Sequence, residues 1–373
     1  MSRHRRSGSA RGLLCALALM AWTGCPTEEP PPDTEFDPEL AAALQEALDL
    51  NRGAIHAPGA TLAVRVPGQP DWATASGEAD LDTPVAAAPE HRFRIGSITK
   101  SYVTAVVLQL VDEGQLELDA PLSAVLPDAP HADAVTLRQL LQHTAGYEDF
   151  VDDLDFLAVM DEPHTPDELL DFVRDLPLLF EPGTGYEYSN THFVLAGMAI
   201  EQVTGTDYAV QVHQRLLAPL ALTSTFLPSD DGVPPQMARG YLGDESSFTD
   251  VTEGIHGSNP WASGEMIADA HDLVRWGAAL YGGEVLPAPL QEQMLTEAVL
   301  PGGATTGYGL GCYLEDQGGV PTAGHSGSTL GFQSRLRYHE GADGPIVTAT
   351  LVNNFFAEAD EIDAAVWDIL LTW

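Results

Sequence analysis

Strand-like segments lie near both ends of this 373-residue chain, and a long run of helical pieces separates them. That order excludes a regular alternation of strand and helix and points to an α+β architecture. Asp37 and Pro38 open a helix that the spacing of Leu40, Leu44 and Leu48 carries to about residue 50, with Gly53 to close it. Residues 61–66 alternate apolar and polar types, and 71–77 read as their hairpin partner across a turn marked by Pro67, Gly68 and Pro70. Residues 97–113 read as a buried helix, with Gly114 as its C-terminal stop. Helical pieces follow at 137–142, 166–175, 192–204, 208–217 and 267–280. Strand-like stretches return at 307–314, 332–338 and 346–352, with a turn at 341–344 and a closing helix over 358–371. The expectation is an antiparallel sheet built from 37–114 and 295–373, flanked by helices, plus an all-helical domain over 115–294.

The first 24 residues read as an export signal, with Arg3, Arg5, Arg6 and Arg11 ahead of an apolar stretch too short to span a bilayer. Small residues before Cys25 and a proline-rich tether over 25–36 resemble a bacterial lipoprotein, so Cys25 is the expected lipidation site. Plain secretion with cleavage nearby is the alternative, and lipid on Cys25 would be the only source of membrane attachment. Of three cysteines only Cys312 falls in the globular part, which excludes an intradomain disulfide. The histidines form no close metal-binding cluster, so neither metal nor other cofactor is expected. A formal charge of −39 makes nucleic acid a poor partner.

Lys100 is the only lysine, and it stands three positions after Ser97. All fifteen other basic side chains are arginines, which stay protonated and cannot act as a base. At the start of a helix Lys100 and Ser97 share a face, so the amine reaches the hydroxyl and makes Ser97 a candidate nucleophile. Farther along, Tyr188 and Asn190 stand two apart just ahead of a helix. A glycine-rich run from Ala323 through His325, Ser326, Gly327 and Ser328 precedes the strand pair near the C-terminus and has the composition of a turn.

Ser-x-x-Lys, Tyr-x-Asn and His-Ser-Gly, in this order, resemble the serine β-lactamase and penicillin-recognising enzyme family, in its class C and D,D-peptidase branch. Residues 93–96, 140–146 and 262–264 are similar to family segments as well. The resemblance implies a sheet domain and a helical domain with the active site in the cleft between them. It also implies an oxyanion site made by the Ser97 and Ser328 amides, with Ser326 and Gly327 beside the substrate.

The chemistry of these side chains fits that reading. A serine hydroxyl needs a neighbouring base, and lysine and tyrosine are both protonated at pH 7 unless their surroundings lower them by about three units, at about 4 kcal/mol. Lys100 and Tyr188 in contact would titrate as a pair, which leaves the identity of the base open. Asn190 offers an amide that can hold Lys100 and a substrate amide, and His325 is expected to shape the local field and relay a proton near neutral pH. No Arg or Lys lies between Arg275 and Arg335, so the third motif lacks a local cation for a substrate carboxylate. Arg335 and Arg337 share one strand face that could be the solvated one or could approach the site. The expected activity is therefore that of an exported serine hydrolase, a D,D-carboxypeptidase-like peptidase or an esterase acting on a small or peptidyl ester or amide. A true β-lactamase ranks behind these, and a slow penicillin-binding sensor module is the reading from another class.

Overall fold

Asp37 begins the first helix, α1 (Pro38–Ala54), by accepting from the backbone N–H groups of Glu39 and Leu40. Its cap satisfies donors that a helix start leaves open, and Leu40, Leu44 and Leu48 are buried as their spacing demands. Gly53 lies inside the helix, which stops one residue later. The computed structural model describes residues 35–244 and 246–373. The export segment 1–24, Cys25 and the tether as far as residue 34 lie outside the described residues.

Seven strands form the main sheet: β1 (Gly59–Arg65), β2 (Trp72–Asp80), β3 (Val85–Ala86), β4 (Tyr313–Gln317), β5 (Val320–Thr329), β6 (Phe332–Gly341) and β7 (Gly344–Val352). Their order is β3-β2-β1-β7-β6-β5-β4, and every pairing is antiparallel. The two ends of the chain meet in the middle of the sheet, where Leu62 of β1 stands opposite Thr350 of β7. Four further helices frame the sheet and the site: α2 (Thr99–Asp112), α3 (Thr191–Thr204), α4 (Ala270–Tyr281) and α5 (Ala359–Leu370).

One face of the sheet buries Leu62, Val64 and Val352 against α1 and α5, through Leu44, Ile362 and Val366. The other face lies against α4, where a Cβ on Gly277 would fall 2.9 Å from Leu336 and 3.0 Å from Val347. Thus α4, read from sequence with the helical stretch, covers the sheet. The larger core continues from there through α2 and α3. Residues from Glu35 to the C-terminus form one compact unit.

Two local expectations change. The 307–314 stretch is strand only from Tyr313, because Gly307 and Gly311 adopt left-handed φ of 69° and 63° and turn the chain before it. The 323–328 run, read as a turn, lies within β5. Its glycines serve close approach: a Cβ on Gly324 would sit 2.1 Å from the Leu336 carbonyl oxygen of the neighbouring strand.

Candidate active site

The site forms where β5 crosses the chain just before α2. Gly96 has φ +50°, and a Cβ there would lie 2.8 Å from the Ser328 nitrogen. A Cβ on Gly327 would lie 2.0 Å from the Ile95 carbonyl oxygen, which also accepts from Ser334 Oγ at 2.8 Å. Two glycines therefore let the backbones touch, and this contact places residues 97 and 328 side by side. Ser97 belongs to a single 3₁₀ turn, Gly96–Ile98, that leads into α2. Backbone N–H groups at such a start lack intrahelical acceptors, so the Ser97 amide is available to an anion.

Lys100 is fully buried in the first turn of α2. Its Nζ lies 2.9 Å from Ser97 Oγ, 2.7 Å from Asn190 Oδ1 and 2.8 Å from the Ser263 carbonyl oxygen. The last two groups can only accept. A neutral amine therefore spends both hydrogens on them and turns its lone pair toward the Ser97 hydroxyl. Burial lowers the Lys100 pKa to about 7, against the pull of the Asp149 charge. The ammonium form also faces the Tyr188 and Phe193 rings at 4.9 Å and 5.4 Å.

Tyr188 moves the opposite way. Burial raises its pKa well above 10, with its hydrogen bond to Ser97 pulling down more weakly. The phenol thus stays protonated, and of the two bases left open by the sequence the geometry and burial favour Lys100. His143 packs against the Tyr188 ring with centroids 4.1 Å apart. The Ser189 N–H donates to His143 Nδ1 at 3.2 Å, so His192 Nδ1 must be the donor in their 2.9 Å contact. Both imidazoles are buried and held neutral by desolvation.

His325 faces inward from β5, but not as a free base. The Ser326 carbonyl can only accept from Nδ1, which leaves Nε2 to accept the Tyr308 hydroxyl at 2.7 Å. Burial takes the His325 pKa down to about 3, so proton relay near neutral pH does not fit this imidazole. Ser326 and Gly327 hold the strand against its neighbours, whereas Ser328 is exposed and borders the cleft.

A cavity of about 330 Å³ opens beside Ser97, Asn190 and Ser328. Val151, Phe156, Leu157, Met160, Ile255 and Leu330 give it an apolar wall, and among the described residues no charged side chain lines it. Arg335 and Arg337 do not reach it. They are buried against Glu315 and the acids of α5, with Arg335 Nε 3.1 Å from Asp360 Oδ1 and Arg337 Nε 2.8 Å from Asp363 Oδ2.

Two participants were not among the site residues named from sequence. The Ser263 carbonyl is a backbone group, visible only through the 262–264 family-like segment. Asp149, whose Oδ2 accepts from Asn190 Nδ2 at 2.9 Å, lies 41 residues before its partner.

The chain is similar over most of its length to known proteins. Penicillin-binding protein 4 of Amycolatopsis lactamdurans is 32% identical over 336 residues, covering 84% of this chain and 85% of the relative. A D-aminopeptidase of Brucella canis is 30% identical over 313 residues; the match covers 83% of this chain but only 58% of that longer protein. Among solved structures, a D-amino acid amidase from Ochrobactrum anthropi SV3 superposes with a TM-score of 0.81 at 30% identity, covering 90% of this chain and 99% of that one. A family model described as Beta-lactamase matches residues 40–371, and on that span the chain belongs to the beta-lactamase family as a hydrolase of its fold.

Proposed function

We propose that this chain is a serine amidohydrolase that forms an acyl-enzyme on Ser97 and prefers substrates with an apolar side group and no carboxylate. The observation that carries the reading is the Lys100 amine, buried 2.9 Å from Ser97 Oγ with two obligate acceptors occupying its hydrogens. Neutral Lys100 takes the Ser97 proton as Oγ attacks the substrate carbonyl, and the carbonyl electrons move onto an oxyanion facing the Ser97 and Ser328 N–H groups. Collapse breaks the bond to the leaving amine or alcohol, which leaves with the proton from Lys100, routed directly or by exchange with the Tyr188 phenol. Water then repeats the sequence at the acyl carbonyl, giving the carboxylic acid and free Ser97.

The uncharged cavity supports an apolar acyl group. Arg335 and Arg337 are committed to acids and do not line the cavity, so neither offsets the −39 field against a substrate carboxylate, while an ammonium is attracted. D,D-carboxypeptidase and β-lactamase substrates carry that carboxylate, which ranks both behind D-amino acid amides, C-terminally amidated peptides with an N-terminal D-residue and neutral esters. The names of the aminopeptidase and amidase relatives support the D-configuration. Export, with Cys25 as anchor, is part of the proposal and rests on residues 1–36; the mass of the mature N-terminus tests it.

The test compares D-phenylalanine amide, its L-enantiomer, a D-alanyl-D-alanine peptide, a p-nitrophenyl ester and a fluorescent penicillin, with Ser97→Ala as control. Multiple turnovers on the D-amide and the ester, lost in Ser97→Ala, are expected. A stoichiometric burst without turnover would favour the sensor module. Preference for the carboxylate-bearing peptide would overturn the substrate class.

A further inference from the structure

We propose that Asp149 is a positioning residue: it fixes which way round Asn190 presents its amide and supplies the negative charge that faces Lys100. The argument rests on the serine-hydrolase reading above for its catalytic consequence, but not for its geometry. Burial raises the Asp149 pKa, opposed by hydrogen bonds from Asn190 and Val151 and by the Lys100 charge; as the carboxylate it accepts and does not donate, so the Asn190 atom 2.9 Å from its Oδ2 is Nδ2. Oδ1 is then committed to Lys100, at 2.7 Å. With the amide reversed, its NH2 would face Lys100, the neutral amine would lose an acceptor, and its lone pair would turn to Asn190 instead of Ser97. The orientation of one amide thus decides whether the serine has a base.

The second part concerns charge. The titratable groups facing Lys100 are Asp149 from the loop before residues 150–152, Tyr188 from the segment before α3, His192 of α3, His143 and His325 of β5. Burial keeps the phenol and the three imidazoles neutral. Asp149 is the one acid acting on the amine among the described residues, and its carboxylate keeps the buried amine from losing its proton at a still lower pH.

A chain with a single lysine allows a direct test. Protein grown with lysine carrying ¹³C at Cε gives one lysine resonance, and its pH titration reports Lys100 alone. The wild type is expected to titrate near 7. Asp149→Asn, which keeps the shape and removes the charge, is expected to titrate about one unit lower, and Asp149→Ser is expected to do the same should the asparagine variant not fold. In parallel, the rate of Ser97 labelling by a fluorophosphonate at pH 8 is expected to fall about tenfold in the folded variant as the amide loses its fixed orientation. A lysine midpoint unchanged in either folded variant overturns the inference. Failure of the wild type to label at Ser97 would overturn the hydrolase reading instead, and the resonance would still test Asp149.

Discussion

Replacing Lys100 by methionine removes the charge while keeping an unbranched side chain of similar length, and its effect on stability follows from the burial of the amine. The Lys100 pKa falls from 10.5 to about 7 on folding, so holding the charged form in its site costs about 5 kcal/mol at about 1.4 kcal/mol per unit. Methionine escapes that cost but leaves Asn190 Oδ1 and the Ser263 carbonyl without a donor, at about 1–3 kcal/mol each. The two contributions are of similar size at pH 7, and the discriminating quantity is the slope with pH. Between the folded and unfolded pKa values the unfolded wild type binds a proton that the folded wild type does not, so wild-type stability rises with pH through that window. Below about 7 the penalty is fully present, and above 10.5 it is gone. From pH 7.5 to 9.5 the wild type should therefore gain about 2.5 kcal/mol relative to Lys100→Met, while other groups cancel except those coupled to the lysine. Urea unfolding of both proteins at four or five pH values measures the difference. A stability difference that stays flat across this range would refute a depressed Lys100 and, with it, a lysine base.

Other substitutions separate the parts of the site. Tyr188→Phe should lower kcat by about 10²- to 10⁴-fold while leaving the acid limb of kcat/KM near 7, because that limb belongs to Lys100; loss of the limb in stopped-flow ester hydrolysis would assign it to the phenol. Gly96→Ala forces a Cβ at φ +50° to within 2.8 Å of the Ser328 nitrogen, so labelling at Ser97 should slow by about 10²-fold or more, and unchanged labelling would mean that the crossing tolerates a side chain. Arg337→Met strands Asp363 in the interior and should lower the unfolding free energy by about 3–5 kcal/mol at pH 7. Its KM for a neutral ester should stay within twofold, and a large rise would place the arginine at the substrate after all.

The residues proposed to carry the side-chain chemistry were legible in the sequence: Ser97, Lys100, Tyr188 and Asn190 converge at the start of α2. The helix α1 was legible too, since an N-cap and leucines four apart act locally. What was missed depends on partners remote in sequence. The glycines of β5 have turn-like composition, and the reason for them is a contact with Ile95 and Leu336 that no local pattern records. Asp149 acquires a role only because folding brings it to Asn190, and Ser263 contributes a backbone oxygen that any residue type could supply. His325 shows the converse case. Its residue type suggests a neutral-pH relay, yet Tyr308 and the Ser326 carbonyl occupy both ring nitrogens and burial removes its titration from that range.

The composition and the site follow from one electrostatic requirement. A chain with a formal charge of −39 raises the cost of any buried carboxylate and eases that of any buried cation, so an acidic surface works against a lysine base by stabilising its ammonium form. The site answers by dehydration. Lys100 is fully enclosed by aromatic rings, two carbonyl-type acceptors and neutral imidazoles, and loss of water outweighs the long-range field, which salt screens within about 10 Å at 0.1 M. Arginine in the same enclosure would remain charged and block the chemistry. A lone lysine in an arginine-only background is thus the residue type that this buried position requires, and the surface is free to be as acidic as the rest of the molecule needs.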